Sequence, residues 1–210
     1  MPRMEEGRGY RWGSAGHNAS HDYLLPALHR LMNAAPVTGA RRCFDLGCGN
    51  GAVASSVAAR GWQVVGVDPS DEGIAHAREA WPALELHQAE ADPALALRFG
   101  TFPVVYSLEV VEHVYLPRRF AAALFALTAP GGTAIVSTPY HGYWKNLAMA
   151  VTGKLDAHFT ALWDHGHIKF WSFATLATLL GEAGFRDIRF ERVGRIAPLA
   201  KSMIAIARRP

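Results

Sequence analysis

The chain has 210 residues, of which 50% are hydrophobic and 19% are charged, and this composition indicates a soluble globular protein with a full core. Its formal net charge of +3 is too small for a basic nucleic-acid surface, and Arg41-Arg42 is only a short basic pair. Two cysteines, Cys43 and Cys48, are too few for a disulfide framework. The sequence contains no long apolar run and no apolar signal core, so we expect a cytoplasmic protein without a transmembrane helix.

The predicted elements begin with a helix that follows a polar N-terminal arm. Residues 1–20 are rich in Gly, Arg, His and Asn and are predicted to be flexible or ordered by a ligand. From His21 to Asn33 apolar residues recur at helical spacing, which predicts an amphipathic helix. Short β-branched strands then alternate with helices, which is typical of a parallel sheet. The predicted strands are 42–46, 63–67, 84–87, 103–107 and 132–138, and the predicted helices are 52–60, 71–81, 118–128 and 172–183.

The C-terminal part of the chain departs from this alternation. Strands at 185–193 and 202–207 are joined by a loop without helical pattern, so they are predicted to pair as an antiparallel hairpin. Residues 140–170 fit neither period and are rich in Trp and His, which indicates a lid or substrate-binding insertion between strand 5 and the last helix. We therefore predict one α/β domain over residues 1–210, with a Rossmann-like, doubly wound, mostly parallel seven-stranded sheet.

A glycine-rich turn is the most informative segment of the sequence. The first strand runs into Asp45, and glycines follow at positions 47, 49 and 51 before a helix begins. Glycine allows a sharp turn and a close backbone approach to a ligand, and the helix directs its first N–H groups at that ligand. Asp68 ends the second strand, where a carboxylate can accept both hydroxyls of a ribose. The pattern indicates a site for a nucleoside cofactor.

Two cofactor classes compete for this turn. Gly47, Gly49 and Ala52 satisfy the loose pattern of nicotinamide dinucleotide sites. Asp45, however, would repel a diphosphate, whereas the amino group and sulfonium of S-adenosylmethionine suit a carboxylate. The sequence also predicts no second domain for hydride transfer, and it ends in an antiparallel hairpin. These features favour S-adenosylmethionine.

Several motifs together carry a resemblance to a known family. Residues 45–51 resemble the first motif of class I S-adenosylmethionine methyltransferases, and 67–70 resemble their second-strand acid. Residues 107–114 resemble the segment after the fourth strand in the ubiquinone-biosynthesis O-methyltransferase family. The segments 131–139 and 167–172 are similar to the fifth strand and to the segment after the insertion in that family.

The resemblance implies S-adenosylmethionine as the cofactor and S-adenosylhomocysteine as its product. It also implies contact residues at the ends of the first four strands, namely Asp45, Gly47, Cys48, Gly49, Gly51, Asp68, Pro69, Glu90 and Leu108. Gly47 and Gly49 would approach the methionine part and Asp68 would hold the ribose. Glu90 is nearly as compatible with a solvated loop, and Leu108 with a core position. Residues 1–35 would include a helix that covers the cofactor.

Methyl transfer to a hydroxyl requires that the hydroxyl loses its proton, either to a base or with the help of a metal. His113 is the predicted base, with Glu112 and His167 as further catalytic residues. Glu109, Glu112 and His113 stand at i, i+3 and i+4, so on a helical turn they would share one face and could hold Mg²⁺ or a similar ion. Relatives in the resembled family bind a metal through a similar Glu-x-x-Glu-His arrangement, and His165 or His167 could complete the set. A histidine base without metal and a purely structural role remain open.

Aromatic residues of the insertion predict a pocket for a flat or apolar acceptor, although some are expected in the core. The candidates are Tyr140, Tyr143, Trp144, Phe159, Trp163 and Trp171. The stretch Trp144–Leu155 has an apolar face and a lysine near each end, Lys145 and Lys154, so contact with a membrane surface is an open alternative.

The sequence therefore predicts methyl transfer from S-adenosylmethionine to a small-molecule acceptor. The predicted acceptor atom is a hydroxyl of a phenolic, quinol-like, polyketide-like or sugar substrate. An NAD(P)-dependent reductase and a non-catalytic cofactor-binding scaffold are the alternatives. Nucleic acid is not expected as a partner because the charge is weak and no basic arm is present. A monomer and a homodimer are equally compatible with the sequence.

Overall fold

The computed structural model of the chain describes residues 16, 20–37, 39–159, 161–163 and 166–210. Helices within these residues are α1 His21–Ala34, α2 Ala52–Ala58, α3 Asp71–Ala80, α4 Leu95–Phe99, α5 Pro117–Leu127, α6 Tyr143–Val151, α7 Leu155–Phe159 and α8 Phe173–Glu182. The strands are β1 Arg42–Leu46, β2 Gln63–Asp68, β3 Glu85–Gln88, β4 Phe102–Leu108, β5 Thr128–Pro139, β6 Arg186–Val193 and β7 Ser202–Arg208. Apart from Gly16 and Ser20, the predicted N-terminal arm lies outside the described residues.

The strands form one seven-stranded sheet in the order β3-β2-β1-β4-β5-β7-β6. Strands β1 to β5 run parallel, and β7 pairs antiparallel with β5 on one side and β6 on the other. The strand order reverses between β1 and β4, and open α/β sheets bind their ligands at the carboxyl ends of such strands. The predicted Rossmann-like sheet with its C-terminal antiparallel hairpin is confirmed.

Both faces of the sheet are buried, and the central strands alternate between them. Cys43 and Val104 belong to the apolar cluster that α1, α2 and α3 cover. Their chain neighbours Phe44 and Val105 belong to the cluster on the opposite face, which α4, α5 and α8 cover. The apolar strands of the sequence are therefore continuous runs rather than alternating ones, as a parallel sheet between two helical layers requires.

Three predicted helix ends agree with the structure. The Ser70 hydroxyl accepts from the N–H of Gly73 (3.0 Å) and caps α3. Ser172 caps α8 in a reciprocal arrangement with Thr175. Gly184 follows α8 at φ +109°, and the N–H of Phe185 returns to the carbonyl of Leu180, which closes the helix as predicted.

Other boundaries were predicted wrongly or missed. Strand β5 begins at Thr128, four residues before the predicted start at 132, and is continuous across a register shift opposite 102–104. Helices α4 and α7 have five residues each, and a helix of that length shows too little periodicity to be recognised. The insertion at 140–170, which showed no clear period in the sequence, contains α6 and α7.

Candidate active site

The glycine turn after β1 is held by the end of β2. The N–H groups of Gly47 and Cys48 both donate to the carbonyl of Val67, at 2.8 and 2.9 Å. Gly47 has φ +96°, and a Cβ there would clash with the side chain of Val110. Gly51 has φ +77°, and its Cβ would lie 2.9 Å from Leu86. Glycine is therefore required at these two positions by the protein's own packing, besides any ligand.

Asp68 fixes the turn from the side of β2. One carboxylate oxygen accepts from the N–H of Gly49 at 2.9 Å, and the other accepts from the N–H of Ser70 at 2.8 Å. Burial raises the pKa of Asp68, and the two backbone donors oppose that rise. Each oxygen has a second lone pair, so the carboxylate can still accept from a ribose. Pro69 is exposed beside it.

Asp45 is the least compensated group of the turn. Its side chain is only 2% exposed, and among the described residues Oδ2 has no hydrogen-bond partner. Burial raises the pKa of Asp45 to about 8, the nearby hydroxyl of Tyr106 opposes the rise, and the charge of Asp68 adds to it. A buried carboxylate oxygen without a partner costs free energy unless a donor or a cation reaches it. Asp45 is therefore suited to a positively charged group of a ligand.

Asn50 was not predicted as a site residue. Its amide nitrogen donates to the carbonyl of Gly16 (3.0 Å), and its amide oxygen accepts from the N–H of Ala52 (3.2 Å). Asn50 thus ties the segment before α1 to the glycine turn. Its position inside the turn was the available signal, because a buried asparagine there must find partners for its amide.

The remaining predicted cofactor contacts differ in exposure. Cys48 is buried, and burial raises the pKa of its thiol well above the usual value, so Cys48 offers the turn its backbone and a neutral side chain. Glu90 is exposed two residues beyond β3. Leu108 ends β4 and packs, partly buried, against the apolar cluster under α1. All three lie at or just beyond the carboxyl ends of parallel strands, as predicted.

The segment after β4 is a turn and not a helix. Glu109 has φ +54°, which is unusual for a residue with a side chain, and its carboxylate is directed at β5 and β7. Ser137 donates to Oε1 at 2.8 Å and Ser202 donates to Oε2 at 3.3 Å. Burial raises the pKa of Glu109 to about 7, while the two serines and Lys145 oppose the rise. The two serines were not predicted, since neither lies near Glu109 in the sequence.

A second cluster of three side chains lies beside this turn. Ligand atoms of Glu112, His113 and His167 all lie within 4.8 Å of one another. Helical spacing predicted Glu109 as the third member of this cluster, but the third member is His167, because the turn directs Glu109 towards β5 and β7. His165 lies outside the described residues.

Glu112 is the buried member of the cluster, with 1% of its surface exposed. Neither carboxylate oxygen has a hydrogen-bond partner within the described ranges, and Oε1 lies 3.9 Å from Nε2 of His167. Burial, followed by the charge of Glu109, raises the pKa of Glu112 well above its usual value. The backbone carbonyl of Glu112 accepts from the N–H groups of Ile168 and Lys169, both at 2.9 Å. A divalent cation would satisfy the two oxygens, so the cluster fits one.

The two histidines of the cluster are oriented by the insertion. Nδ1 of His113 lies 3.1 Å from the carbonyl of Gly166, which accepts a hydrogen bond from the ring and fixes its orientation. Burial lowers the pKa of His167 to about 4, helped by the positive charges of His113 and His158. His167 is therefore neutral near pH 7 and can act as an acceptor or a ligand.

Of the aromatic residues that the sequence predicted for an acceptor pocket, Trp163 lies next to the cluster. The ring of Trp163 lies edge-on to His113 and His167, with centroids 6.1 and 5.3 Å away. Trp163 and Phe159 line an open cavity of about 450 Å³. Among the other candidates, Tyr140 and Trp171 are buried in the core, and Tyr143 and Trp144 are exposed on α6.

Helix α6 has an unusual orientation. It has no buried residue, and its apolar side chains Tyr143, Trp144 and Val151 are 72%, 66% and 79% exposed. The half-buried residues are instead Lys145, Asn146 and Met149. None of the helices within the described ranges has the length and apolarity to cross a membrane.

Comparisons with known proteins agree on one family. A family model described as a methyltransferase domain matches residues 16–189. The ubiquinone biosynthesis O-methyltransferase of Burkholderia pseudomallei strain 1710b is 30% identical over 185 residues, which cover 86% of this chain and 79% of that protein. The relative of the same name in Caulobacter sp. strain K31 is 37% identical over 126 residues, 58% of this chain and 48% of that protein.

Solved structures share the fold at low sequence identity. The methyltransferase domain of bacterial CtHen1 aligns with a TM-score of 0.67 and 21% identity, and the match covers 91% of this chain and all of that domain. Magnesium protoporphyrin IX methyltransferase from Synechocystis PCC 6803, solved with S-adenosylhomocysteine bound, aligns with a TM-score of 0.64 and 20% identity over 89% of this chain and 82% of that one.

Proposed function

This chain belongs to the methyltransferase-domain family and is an S-adenosylmethionine-dependent methyltransferase, and from that premise we propose that it methylates a hydroxyl of a small-molecule acceptor. The observation that carries the proposal is the cluster of Glu112, His113 and His167 at the sheet edge where the glycine turn also lies. One region offers groups for the methyl donor, and the other offers groups that can take a proton from an acceptor. The comparisons give no support to the alternative of a nicotinamide-dependent reductase.

The glycine turn is the proposed donor site. Asp68 would accept the ribose hydroxyls, and the unpartnered oxygen of Asp45 would face the amino group of the methionine part. Gly47, Cys48, Gly49 and Gly51 would contribute backbone to this site. S-adenosylmethionine supplies an activated methyl group when bound, so the protein's task is to place the acceptor oxygen about 3–3.5 Å from that methyl, in line with the bond that breaks.

The cluster of Glu112, His113 and His167 is the proposed acceptor site. With no ion bound, His113 would take the hydroxyl proton, with the Gly166 carbonyl holding its ring in place. With a divalent ion such as Mg²⁺ held by Glu112, His113 and His167, the ion would instead lower the pKa of the hydroxyl, because a ring nitrogen that binds an ion cannot also accept a proton. Glu109 would contribute its charge from the neighbouring position.

The acceptor is proposed to be phenolic or quinol-like. The open cavity lined by Phe159 and Trp163 suits a flat or apolar group, and the relatives are named O-methyltransferases of ubiquinone biosynthesis. Polyketide-like and sugar hydroxyls belong to the same proposal, because the acceptor site requires only a hydroxyl near His113.

Two measurements test this function. Calorimetry should show saturable binding of S-adenosylhomocysteine, and tryptophan fluorescence should not respond to NADH. A radiolabelled methyl donor should then give labelled product with at least one member of a panel of phenols, quinols and sugars. Donor binding without product across the panel would favour a non-catalytic scaffold.

The exposed apolar face of α6 supports one further expectation about partners. Tyr143 and Trp144 are of the kind that membrane interfaces favour, and Lys154 follows them at the end of the helix. If this face contacts lipid, sedimentation with vesicles that contain anionic phospholipid should carry the protein down, and Trp144→Ser should reduce that fraction.

A further inference from the structure

Two hydroxyl groups connect α1 to the carboxylate of Glu109. The hydroxyl of Tyr23, on α1, lies 3.2 Å from the hydroxyl of Ser202, and Ser202 donates to Oε2 of Glu109 at 3.3 Å. Ser202 has one hydroxyl hydrogen and gives it to the carboxylate, so Tyr23 must be the donor to Ser202. Burial raises the pKa of Tyr23, which keeps the phenol protonated at ordinary pH. The hydroxyl chain of Tyr23, Ser202 and Glu109 is therefore continuous and has one direction.

Glu109 also reaches the glycine turn through its backbone. Its φ of +54° costs free energy in a residue with a side chain, so its surroundings must hold it there. The N–H of Glu109 donates to the carbonyl and the hydroxyl of Ser137, and the hydroxyls of Ser137 and Ser202 donate to its carboxylate. Together these hydrogen bonds hold the residue. The next residue, Val110, fills the space above Gly47, where no Cβ would fit. A change in the backbone of Glu109 would thus move Val110 against the turn that we assign to the donor.

Two further contacts involve α1 or the segment before it. Asn50 in the glycine turn donates to Gly16, in the segment that precedes α1. Seven residues further along the same face of the helix, Arg30 forms an ion pair with Glu191 of β6. This ion pair is solvent-exposed, and Glu191 is far from the glycine turn in the sequence. The hydroxyl chain and this ion pair both attach α1 to the C-terminal hairpin, but only the hydroxyl chain includes Glu109.

We propose that Tyr23 and Ser202 are positioning residues of the donor site, which act through Glu109 and Val110 to hold the glycine turn and α1 in the arrangement that binds S-adenosylmethionine. This assignment rests on the proposed donor site. It gives Glu109 a second role besides its place beside the proposed acceptor site. Through Ser137 and Ser202 its carboxylate is bonded to β5 and β7, and through Tyr23 it is connected to α1.

Calorimetric titration with S-adenosylhomocysteine tests the assignment on the full chain. Tyr23→Phe removes only the hydroxyl and keeps the ring, and Ser202→Ala removes the central hydroxyl. Each variant should bind S-adenosylhomocysteine about tenfold more weakly than the wild type, within the usual range of coupling between sites. Both substitutions break the same series of hydrogen bonds. The affinity of the double variant should therefore be at most about twofold lower than that of the single variant with the lower affinity.

The matched control is Arg30→Gln, which removes another attachment of α1 without touching the hydroxyl chain. It should bind S-adenosylhomocysteine within about twofold of the wild type, as expected for the loss of an exposed ion pair. Equal weakening in Arg30→Gln and Tyr23→Phe would mean that any loosening of α1 suffices and would overturn the assignment. Wild-type affinity in both Tyr23→Phe and Ser202→Ala, or multiplying effects in the double variant, would overturn it as well. Failure of the wild type itself to bind would instead contradict the proposed function.

Discussion

The two halves of the proposed site, the donor side at the glycine turn and the acceptor side at Glu112, are built in different ways. On the donor side the polar groups lie at the ends of two adjacent strands and are mostly satisfied: Asp68 accepts from Gly49 and Ser70, and the carbonyl of Val67 accepts two N–H groups. On the acceptor side Glu112 is buried with both oxygens unpartnered among the described residues, next to two histidines. The donor side is a rigid backbone cradle, whereas the acceptor side holds uncompensated charge.

This difference indicates where each side obtains its binding free energy. A preformed backbone cradle loses little entropy when a ligand enters, so its contribution is shape and a few directed hydrogen bonds. Buried unpartnered carboxylates are costly in the empty protein, and a cation or a proton donor removes that cost. Substitutions should therefore separate into those that change donor affinity and those that change turnover or cation binding.

The largest expected effect is on turnover, from His113→Ala. General-base catalysis contributes about 10²–10⁴-fold, so we expect the rate of methyl transfer to fall about 1000-fold. S-adenosylhomocysteine affinity should remain within about twofold of the wild type, because His113 is placed in the cluster with Glu112 and His167 and bonds to Gly166 of the insertion. Radiolabel transfer and calorimetry measure the two quantities. A variant as active as the wild type would exclude His113 from the chemistry.

Asp68→Ala should produce the next largest effect, on the donor side alone. It removes the acceptor for a ribose and for the N–H groups of Gly49 and Ser70, so we expect S-adenosylhomocysteine affinity to fall at least about 100-fold. Circular dichroism should show an unchanged fold, because the sheet pairing of β2 does not depend on this side chain. Unchanged affinity would contradict the ribose assignment.

Glu112→Gln sharpens the comparison from the acceptor side. Removing the charge of the buried carboxylate should weaken Mn²⁺ binding to the donor-free protein by about 10–100-fold in calorimetry. Glu109→Gln should weaken it less, since Ser137 and Ser202 hold that carboxylate away from the cluster. A chelator should stop the wild-type reaction, and Mg²⁺ should restore it. Turnover that is indifferent to the chelator would leave His113 as a base without metal.

The same contrast explains what the sequence could predict. The donor side follows from a local pattern, because a strand, an acid and alternating glycines lie within eight residues, 44–51. The acceptor side depends on tertiary placement: His167 joins Glu112 across more than fifty residues, and Ser202 reaches Glu109 across 93. Helical spacing grouped Glu109 with Glu112, and only the positive φ of Glu109 separates them.

The sheet was predictable for the same reason as the donor turn. Strands β2, β4 and β5 contain runs of Val, Ile and Thr, the strands alternate with helices, and the final hairpin lacks the helix that a parallel connection needs. The orientation of α6 was not predictable in this way. A helix with an apolar face normally buries it, and nothing local indicates that Lys145 and Asn146 would be directed inward instead.

The smallest expected change in donor affinity concerns Asp45, the one donor-side group that, like Glu112, is buried with an unpartnered carboxylate oxygen among the described residues. The pKa of Asp45 is raised to about 8 in the folded protein, against about 3.9 in an unfolded chain. Folding therefore takes up a proton between about pH 4 and pH 8, and wild-type stability falls as pH rises through that window. Asp45→Asn lacks this penalty. Its advantage in unfolding free energy over the wild type should grow by about 1 kcal/mol per pH unit across the window.

Urea denaturation at several pH values measures that slope. Asp92→Asn is the control, because the contribution of Asp92 to stability changes with pH in the opposite direction. The N–H of Ala94 and the guanidinium of Arg119 lower the pKa of Asp92, so its contribution is present at neutral pH and is lost as pH falls below 4. In the same preparations Asp45→Asn should bind S-adenosylhomocysteine about tenfold more weakly, because the neutral amide cannot pair with a cationic amino group. If the role of Asp45 is to bind the donor, Asp45→Asn should be more stable than the wild type and should bind the donor more weakly. Unchanged stability and unchanged affinity would mean that Asp45 has no role in donor binding.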